Sequence, residues 1–295
     1  MTVGRVILVA GVLVLLFIPY LLWGTGLITA QAQRDLRQQF AASQRLRHQS
    51  VDVHPPSGPS GPPTVAPPIT EPALGSALGI ISIPKIALTM AIVEGTGADQ
   101  LRSGPGHYPG TPLPGQAGNA AIAGHRTTYL HPFYDLDQLT AGDAIDIVTI
   151  QGQFVYKVIG SQVVAPSDVA VVAPTPTPVL TLTTCNPRYS ASQRLVVQAA
   201  LVADVVSGVS PTHVASAAQG TPVPKPTAPV ALQRHWWEAV AWGLAVAALM
   251  IGVWSLALRL RGPRRVAVLT VGLALWLGVV FLFFGALAPL LPASY

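Results

Sequence analysis

The sequence has a single cysteine, Cys185, among its 295 residues. One thiol cannot form an intramolecular disulfide, and it is a poor basis for a structural zinc site. A disulfide-stapled scaffold is therefore excluded, and a zinc-stabilised domain is disfavoured. Charged residues are also scarce, at 10% against the roughly 25% usual for soluble domains. There is no internal repeat and no glycine-rich phosphate loop after a strand, so the pattern typical of nucleotide binding is absent.

The shortage of charge is uneven, because long apolar runs lie towards both ends of the chain. The three runs are residues 6–28, 236–258 and 266–290. Each has the length of about 20 apolar residues that a membrane-spanning helix needs, so we expect three spans. Residues 30–32 after the first run fit a signal-peptide cleavage pattern, but its apolar core exceeds the roughly 7–15 residues of such signals. We therefore expect an uncleaved anchor over residues 1–29, with a cleaved signal as the alternative.

The distribution of arginine predicts the orientation in the membrane. Residues 259–265 join the last two predicted spans and contain four arginines, which is typical of a cytoplasmic loop. Four more arginines follow the first run and oppose this orientation, but long domains cross the membrane largely regardless of charge. We predict a multi-pass protein of the cell membrane with its central domain outside. The net charge of +5 then indicates membrane topology and anionic lipid as a partner, not nucleic acid.

The composition divides the region between the predicted spans into three parts. Residues 30–74 form a polar, helix-prone stalk followed by a proline-rich linker, and residues 209–235 form a second linker. Residues 75–208 have the length of one domain. Short β-branched runs separated by turn residues fill this domain, including a hairpin closed at residues 151–152. Only residues 97–102 and 133–139 look helical, so we predict an all-β closed barrel or sandwich.

The lone cysteine lies at the end of a predicted strand, where a side chain is easily exposed. A thiol becomes a good nucleophile where a neighbour, usually a histidine, stabilises the thiolate. The domain histidines are His107, His125 and His131, and His125 is best placed because it also ends a predicted strand. Arg194 begins the following strand and could donate to a developing oxyanion. Taken singly, each residue has a structural alternative: Cys185 as a small buried hydrophobe, His125 as a structural hydrogen-bonding residue and Arg194 as a surface cation.

Two segments together resemble the sortase family. TLTTCNPRYSASQRLVV, residues 181–197, resembles the family's cysteine signature with its catalytic arginine. AIAGHRTTYLHPFYDLDQLTAGDAI, residues 121–145, resembles the family's histidine segment. The resemblance covers about residues 78–205. It implies an eight-stranded sortase-type β-barrel with short helices, here flanked by one N-terminal and two C-terminal transmembrane helices.

The resemblance also implies roles for particular residues of these segments. Cys185 would be the nucleophile, His125 the general acid and base, and Arg194 the residue that stabilises the oxyanion or positions the substrate. Thr183 and Thr184 would contribute to the substrate site. Within the family, GHYPGTPLPGQAGNAAIAGHR, residues 106–126, looks most like class E.

In class E, a tyrosine at the position of Tyr108 is associated with Leu-Ala-x-Thr-Gly sorting signals, where other classes use Leu-Pro-x-Thr-Gly. The alternative for Tyr108 is a loop aromatic packed on the barrel. Arg126 and Thr127 are candidates for shaping the pocket, again with structural packing as the alternative. Arg188 lies in a loop at a position that matches no family role.

The implied activity is that of a cysteine transpeptidase that cleaves a C-terminal sorting signal between Thr and Gly. The implied partners are surface proteins that bear such signals and the amine of a peptidoglycan precursor. We expect no cofactor and no metal, because the acidic residues lack the loop spacing of a calcium site.

Three alternative functions stay open at this stage. A class C-like pilin polymerase would join pilin subunits through a Lys amine, although the lid tripeptide usual in that class is missing. An L,D-transpeptidase would have His-Gly directly before the cysteine, where this chain has Thr183-Thr184. A membrane-tethered binding barrel without catalysis is the alternative from a different class of protein.

Overall fold

The structure is a computed structural model that describes residues 2–50, 65–205 and 236–288. The chain forms two compact units. One contains the described residues 2–24 and 236–288, and the other contains residues 25–50 and 65–205. The second predicted linker, residues 209–235, and most of the first lie outside the described residues.

Strands of the second unit close into a barrel. They are β1 (Ala77–Ile83), β2 (Leu88–Glu94), β3 (Gly106–His107), β4 (Asn119–Ala123), β5 (Ala144–Thr149), β6 (Gly152–Val164), β7 (Val179–Asn186) and β8 (Gln193–Val205). Their order around the barrel is β1-β2-β3-β4-β7-β8-β6-β5, and β5 pairs with β1 to close it. The predicted eight-stranded barrel is confirmed.

Most neighbouring strands run antiparallel, as expected for strands joined by short turns. The predicted hairpin at residues 151–152 is confirmed as the β5–β6 pair. Two neighbouring pairs are parallel, β2 with β3 and β4 with β7. The parallel β4–β7 pair places the residues that follow β4, among them His125, beside the end of β7, which contains Cys185.

The barrel interior is filled by large apolar side chains from alternate strand positions. The largest fully buried strand residues are Tyr156, Phe154, Ile81, Ile83, Ile92, Ile122, Ile145, Ile147 and Leu180, and Phe133 and Leu136 join the same core from outside the strands. This packing keeps β4, β7 and β8 rigid, so the residues at their ends have fixed positions.

Helices also belong to this unit, so the all-β class describes the barrel and not the whole unit. The long helix α2 (Thr25–Ser50) includes the region predicted as a polar stalk, and it lies against the barrel. Helix α3 (Ala98–Ser103) and a 3-10 helix at Leu136–Gln138 confirm the two predicted short helical segments. Further 3-10 turns lie at Pro84–Ile86 and Val169–Val172.

The first unit consists of helices and a short loop at residues 260–262 over its described residues. It contains α1 (Thr2–Pro19), a π-helical turn (Tyr20–Gly24), α4 (Trp236–Arg259) and α5 (Pro263–Leu287). The ring of Tyr20 packs against Phe281 and Phe284, with ring centroids 5.2 and 5.5 Å apart. Helices α4 and α5 are long and apolar enough to cross a membrane. A span at residues 6–28 remains a prediction.

Candidate active site

Cys185 is the penultimate residue of β7 and is only 6% exposed. Leu180 and Leu182 belong to the interior core of the barrel. Because side chains alternate between the two faces of a strand, Thr183 and Cys185 lie on the outer face of β7. The thiol is therefore outside the barrel core, yet it is covered.

Arg194 is the direct partner of Cys185 in the antiparallel β7–β8 ladder. Directly opposed residues share a face of the sheet, with Cβ atoms about 5 Å apart. The guanidinium of Arg194 also donates to the carbonyls of Ala191 and Gln193, both at 3.1 Å. The register therefore brings Arg194 next to Cys185, and the preceding loop orients its side chain.

His125 follows β4 by two residues and is 6% exposed. Hydrogen bonds continue beyond the end of β4: the Gly124 N–H donates to the Thr183 carbonyl at 3.0 Å, and the Thr184 hydroxyl donates to the Gly124 carbonyl at 2.7 Å. This continuation of the parallel pairing carries His125 alongside Cys185. The structure thus brings together the histidine, cysteine and arginine predicted from the sequence.

A strained turn packs against His125. Tyr129, Leu130 and His131 have φ angles of 54°, 60° and 37°, in the left-handed region that residues other than glycine rarely adopt. The ring of Tyr129 lies 4.9 Å from the imidazole of His125, and the backbone N–H of Tyr129 donates to the hydroxyl of Thr25 at 3.3 Å. The start of α2 therefore supports the turn that contacts His125.

Burial favours the neutral forms of both the His125 imidazole and the Cys185 thiol. Burial and, as the smaller cause, the positive charge of Arg102 together lower the pKa of His125 to about 4. Burial raises the pKa of the Cys185 thiol, while the positive charges of Arg194 and Arg126 oppose that rise. At neutral pH the two groups are therefore a thiol and a neutral imidazole.

Tyr108 and Thr183 meet on the outer face of β7. The Tyr108 hydroxyl lies 3.0 Å from the Thr183 hydroxyl, and the Tyr108 N–H donates to the Ala121 carbonyl at 2.9 Å. Tyr108 thus contacts the strand two residues before Cys185. Thr184 faces the opposite side of β7, where its hydroxyl is used in the bond to Gly124 described above.

His107, another domain histidine, is fully buried in a polar cluster of its own. Its Nδ1 lies 2.9 Å from the Glu94 carboxylate, and its Nε2 lies 3.0 Å from the Pro112 carbonyl. Because both ring nitrogens are engaged by oxygen atoms, His107 is not available as a base for Cys185. The contact between Glu94 and His107 could not be predicted from the sequence, because it depends on how β2 and β3 align. Among the described residues, no group of His, Cys, Asp or Glu could hold a metal ion.

Sequence analysis also missed the acidic partners of two arginines near the site. Arg126 and Arg188 both form ion pairs with Asp137, at 3.0 and 3.1 Å. The two acidic residues Asp135 and Asp137, in the predicted helical segment soon after His125, were the sequence feature that could have indicated these ion pairs.

Comparison with known proteins identifies the family. Residues 81–202 match the family model of the sortase domain. The chain is 31% identical over 220 residues to Sortase SrtE1 of Streptomyces coelicolor, covering 68% of this chain and 56% of that protein. It is 36% identical over 118 residues to Sortase D of Bacillus subtilis, covering 40% of this chain and 58% of that protein. The chain thus spans little more than half of these two curated relatives.

A solved structure of sortase E from Streptomyces avermitilis is 36% identical and is covered to 93%, against 45% of this chain, with a TM-score of 0.42. The chain described here belongs to the sortase family. Sortases are cysteine transpeptidases, and the class E names among the relatives agree with the class that the sequence most resembles.

Proposed function

We propose that this protein is a membrane-anchored transpeptidase that cleaves a sorting signal between Thr and Gly and attaches the surface protein to an amine of a cell-wall precursor. The observation that carries this proposal is the position of Cys185 between two strands that present His125 on one side and Arg194 on the other. Family membership supports the reaction class. The apolar helices α4 and α5 support attachment to the membrane.

The proposed reaction begins from the neutral pair. Cys185 loses its proton to His125 as the sulfur attacks the carbonyl carbon of the Thr residue in the signal. The carbonyl oxygen becomes negatively charged, and the guanidinium of Arg194, which stays protonated, stabilises it. The low pKa of His125 makes its imidazolium a strong acid, well suited to protonate the leaving amine.

Collapse of this intermediate breaks the Thr–Gly bond and leaves a thioester on Cys185. An incoming amine then attacks the thioester carbonyl, and His125 accepts the proton that this amine loses. The new amide is released, and the thiol and the neutral imidazole are restored. Each group thus returns to its starting protonation state.

Tyr108 supports a signal of the Leu-Ala-x-Thr-Gly type. Its hydroxyl contacts Thr183 on the outer face of β7, close to Cys185. A substrate bound across Cys185 would therefore pass near this hydroxyl. We expect the full-length protein to cleave a Leu-Ala-x-Thr-Gly peptide faster than a Leu-Pro-x-Thr-Gly peptide.

Cleavage assays with three variants of the full-length protein test the roles. Cys185→Ala and His125→Ala should each lose activity by about a thousandfold or more, because each removes a group that bonds to the reacting atoms. Arg194→Lys should lose on the order of a hundredfold, since an ammonium lacks the planar fork. Peptide cleavage is followed by chromatography, and circular dichroism checks that each barrel is folded. Near-wild-type cleavage by folded Cys185→Ala would refute the proposal.

A further inference from the structure

Arg126 is a buried cation beside the proposed nucleophile. It directly follows His125 and is only 4% exposed. One guanidinium nitrogen, Nη1, donates to the backbone carbonyl of Cys185 at 3.1 Å and to the side-chain oxygen of Asn186 at 2.7 Å. A buried charge is costly unless it is paired and hydrogen-bonded. These contacts stabilise the buried guanidinium of Arg126, and its burial indicates a role beyond packing.

The counterion of Arg126 is part of a larger network. Asp137 lies 3.0 Å from Nη2 of Arg126 and 3.1 Å from Arg188. Arg188 also pairs with Asp135 at 3.2 Å and lies over the ring of Tyr134 at 4.2 Å. The network joins the segment after His125, the 3-10 helix at Leu136–Gln138 and the β7–β8 loop. It therefore fixes the guanidinium of Arg126 in one orientation.

A further feature of Arg126 is not explained by packing. Its Nε atom is buried and has no hydrogen-bond partner within the described part of the chain. A buried N–H without a partner destabilises the folded state, and such groups are few in native proteins. An apolar residue would avoid this loss, so the guanidinium is retained at a cost to stability. Costs of this kind are typical of functional sites.

Cys185 is consequently flanked by two arginines from the strands on either side. Arg194 comes from β8, and Arg126 comes from the chain that continues β4. Other charged and titratable groups of this region include His125 alongside Cys185, Tyr129 against His125, Arg102 of α3, whose charge acts on His125, and the acidic network that pairs with Arg126. Both arginines oppose the effect of burial on the thiol.

We propose that Arg126 is a positioning residue for Cys185, which holds the Cys185 carbonyl in place and keeps a fixed positive charge near the sulfur as negative charge forms there. This inference rests on the proposed function, because the same thiol is the nucleophile. It differs from the role of Arg194, which would contact the substrate. Arg126 would act only through the cysteine and its strand.

The reactivity of the thiol tests this proposal without any peptide substrate. Full-length Arg126→Gln removes the charge, whereas Arg126→Lys retains it. We expect iodoacetamide to alkylate Cys185 about tenfold more slowly in Arg126→Gln at neutral pH, as one pKa unit of lost thiolate would give. The pH profile of alkylation should shift to higher pH in that variant. Arg126→Lys should keep nearly the wild-type profile but lose peptide cleavage, because an ammonium cannot hold both oxygen partners.

A second variant guards against failure of the first to fold. Asp137 is 44% exposed, and Asp137→Asn removes the charge that neutralises Arg126. We expect alkylation of Cys185 to become faster in this variant, the direction opposite to Arg126→Gln. A purely structural role for the network would slow cleavage but would not shift the two alkylation profiles in opposite directions.

Lys157→Gln is the matched control for loss of one positive charge. Lys157 is exposed on β6 and pairs with Ala200, six strand positions from Arg194, about 20 Å along β8. Its alkylation profile should equal that of the wild type. Wild-type profiles in both Arg126→Gln and Asp137→Asn would overturn the proposal. Failure of the wild type to cleave peptides would refute the proposed function and leave the alkylation result to be read by itself.

Discussion

Cys185 and His125 are held in their neutral forms by burial, with nearby charge as the second influence. The pKa of His125 is lowered to about 4, and that of Cys185 is raised. This arrangement protects the only thiol of the chain from oxidation, because the thiolate is the reactive form. In the proposed reaction, the sulfur becomes reactive as it attacks a substrate bound beside Arg194.

The buried histidine predicts how stability depends on pH. The folded state binds a proton at His125 only near pH 4, whereas the unfolded chain binds it near 6.5. The unfolded state therefore holds more protons between these values, and stability falls as pH falls through this window. His125→Gln removes this titration, so its unfolding temperature should fall less than that of the wild type between pH 6.5 and pH 4.

Calorimetry of the full-length proteins across this window measures the effect. His131 is exposed, and His131→Gln is the matched control, expected to follow the wild type. Wild-type and His125→Gln curves that decline in parallel would contradict the assignment of this titration to His125.

The catalytic candidates could be predicted from the sequence because each lies at a strand end beside a recognisable motif. The contacts of Arg126 could not be predicted in the same way. They depend on the path of residues 126–137, which includes the left-handed turn at Tyr129, Leu130 and His131. Propensities do not predict three successive left-handed residues, because the turn is stabilised by packing against α2 and His125.

At the scale of elements, α2 completes an edge of the barrel. Strand β3 is only two residues long and pairs with the end of β2. Upstream of that point, the side chain of Gln33 takes the place of a strand: it donates to the Ala91 carbonyl at 3.0 Å and accepts from the Ala91 N–H at 2.7 Å. Its amide also donates to the Ser103 carbonyl at 2.8 Å. Exposed strand edges favour unwanted pairing, and α2 prevents it here.

The packing of α2 against the barrel could not be predicted from the sequence. A polar helical segment is equally typical of a solvated stalk, and no local pattern links Gln33 to Ala91, which lies 58 residues further along the chain. The eight strands, in contrast, have local signals in their β-branched runs and turns. Long-range polar contacts are therefore the part of this fold that cannot be predicted from local sequence patterns.

Gln33→Leu should destabilise the barrel unit. The variant leaves buried backbone groups of Ala91 without partners, which costs about 1–3 kcal/mol for each unsatisfied group. Chemical denaturation of the full-length protein, followed by circular dichroism in the β region, measures the change. Gln39 is exposed on the same helix, so Gln39→Leu is the matched control and should have little effect. Equal stability of the two variants would contradict the role of Gln33.

For the whole molecule, the connection between α4 and α5 predicts which side of the membrane the barrel occupies. Four arginines lie at residues 259–265, in this short loop and the adjoining helix ends, and short arginine-rich connections stay in the cytoplasm. The chain that leads into α4 would then be outside, together with the barrel. A nucleophile outside the cytoplasm also benefits from having no second cysteine to form a disulfide.

Thiol labelling tests this orientation. In a Cys185→Ser background, Ser161→Cys places one exposed thiol on β6, and Arg261→Cys places one in the loop between α4 and α5. A membrane-impermeant maleimide should label Ser161→Cys in intact cells, because the barrel is expected to be outside. It should label Arg261→Cys only after permeabilisation. The reverse pattern would show that the barrel faces the cytoplasm.

The proposed reaction requires a thioester between Cys185 and the sorting signal. Full-length protein is incubated with a Leu-Ala-x-Thr-Gly peptide without an amine acceptor, quenched in acid and analysed by mass spectrometry of its proteolytic fragments. We expect an acyl adduct, ending in the Thr carbonyl, on the fragment that contains Cys185, and its loss on treatment with hydroxylamine. Cleavage of the peptide with no adduct on this fragment, or cleavage that persists in Cys185→Ala, would contradict the proposed reaction.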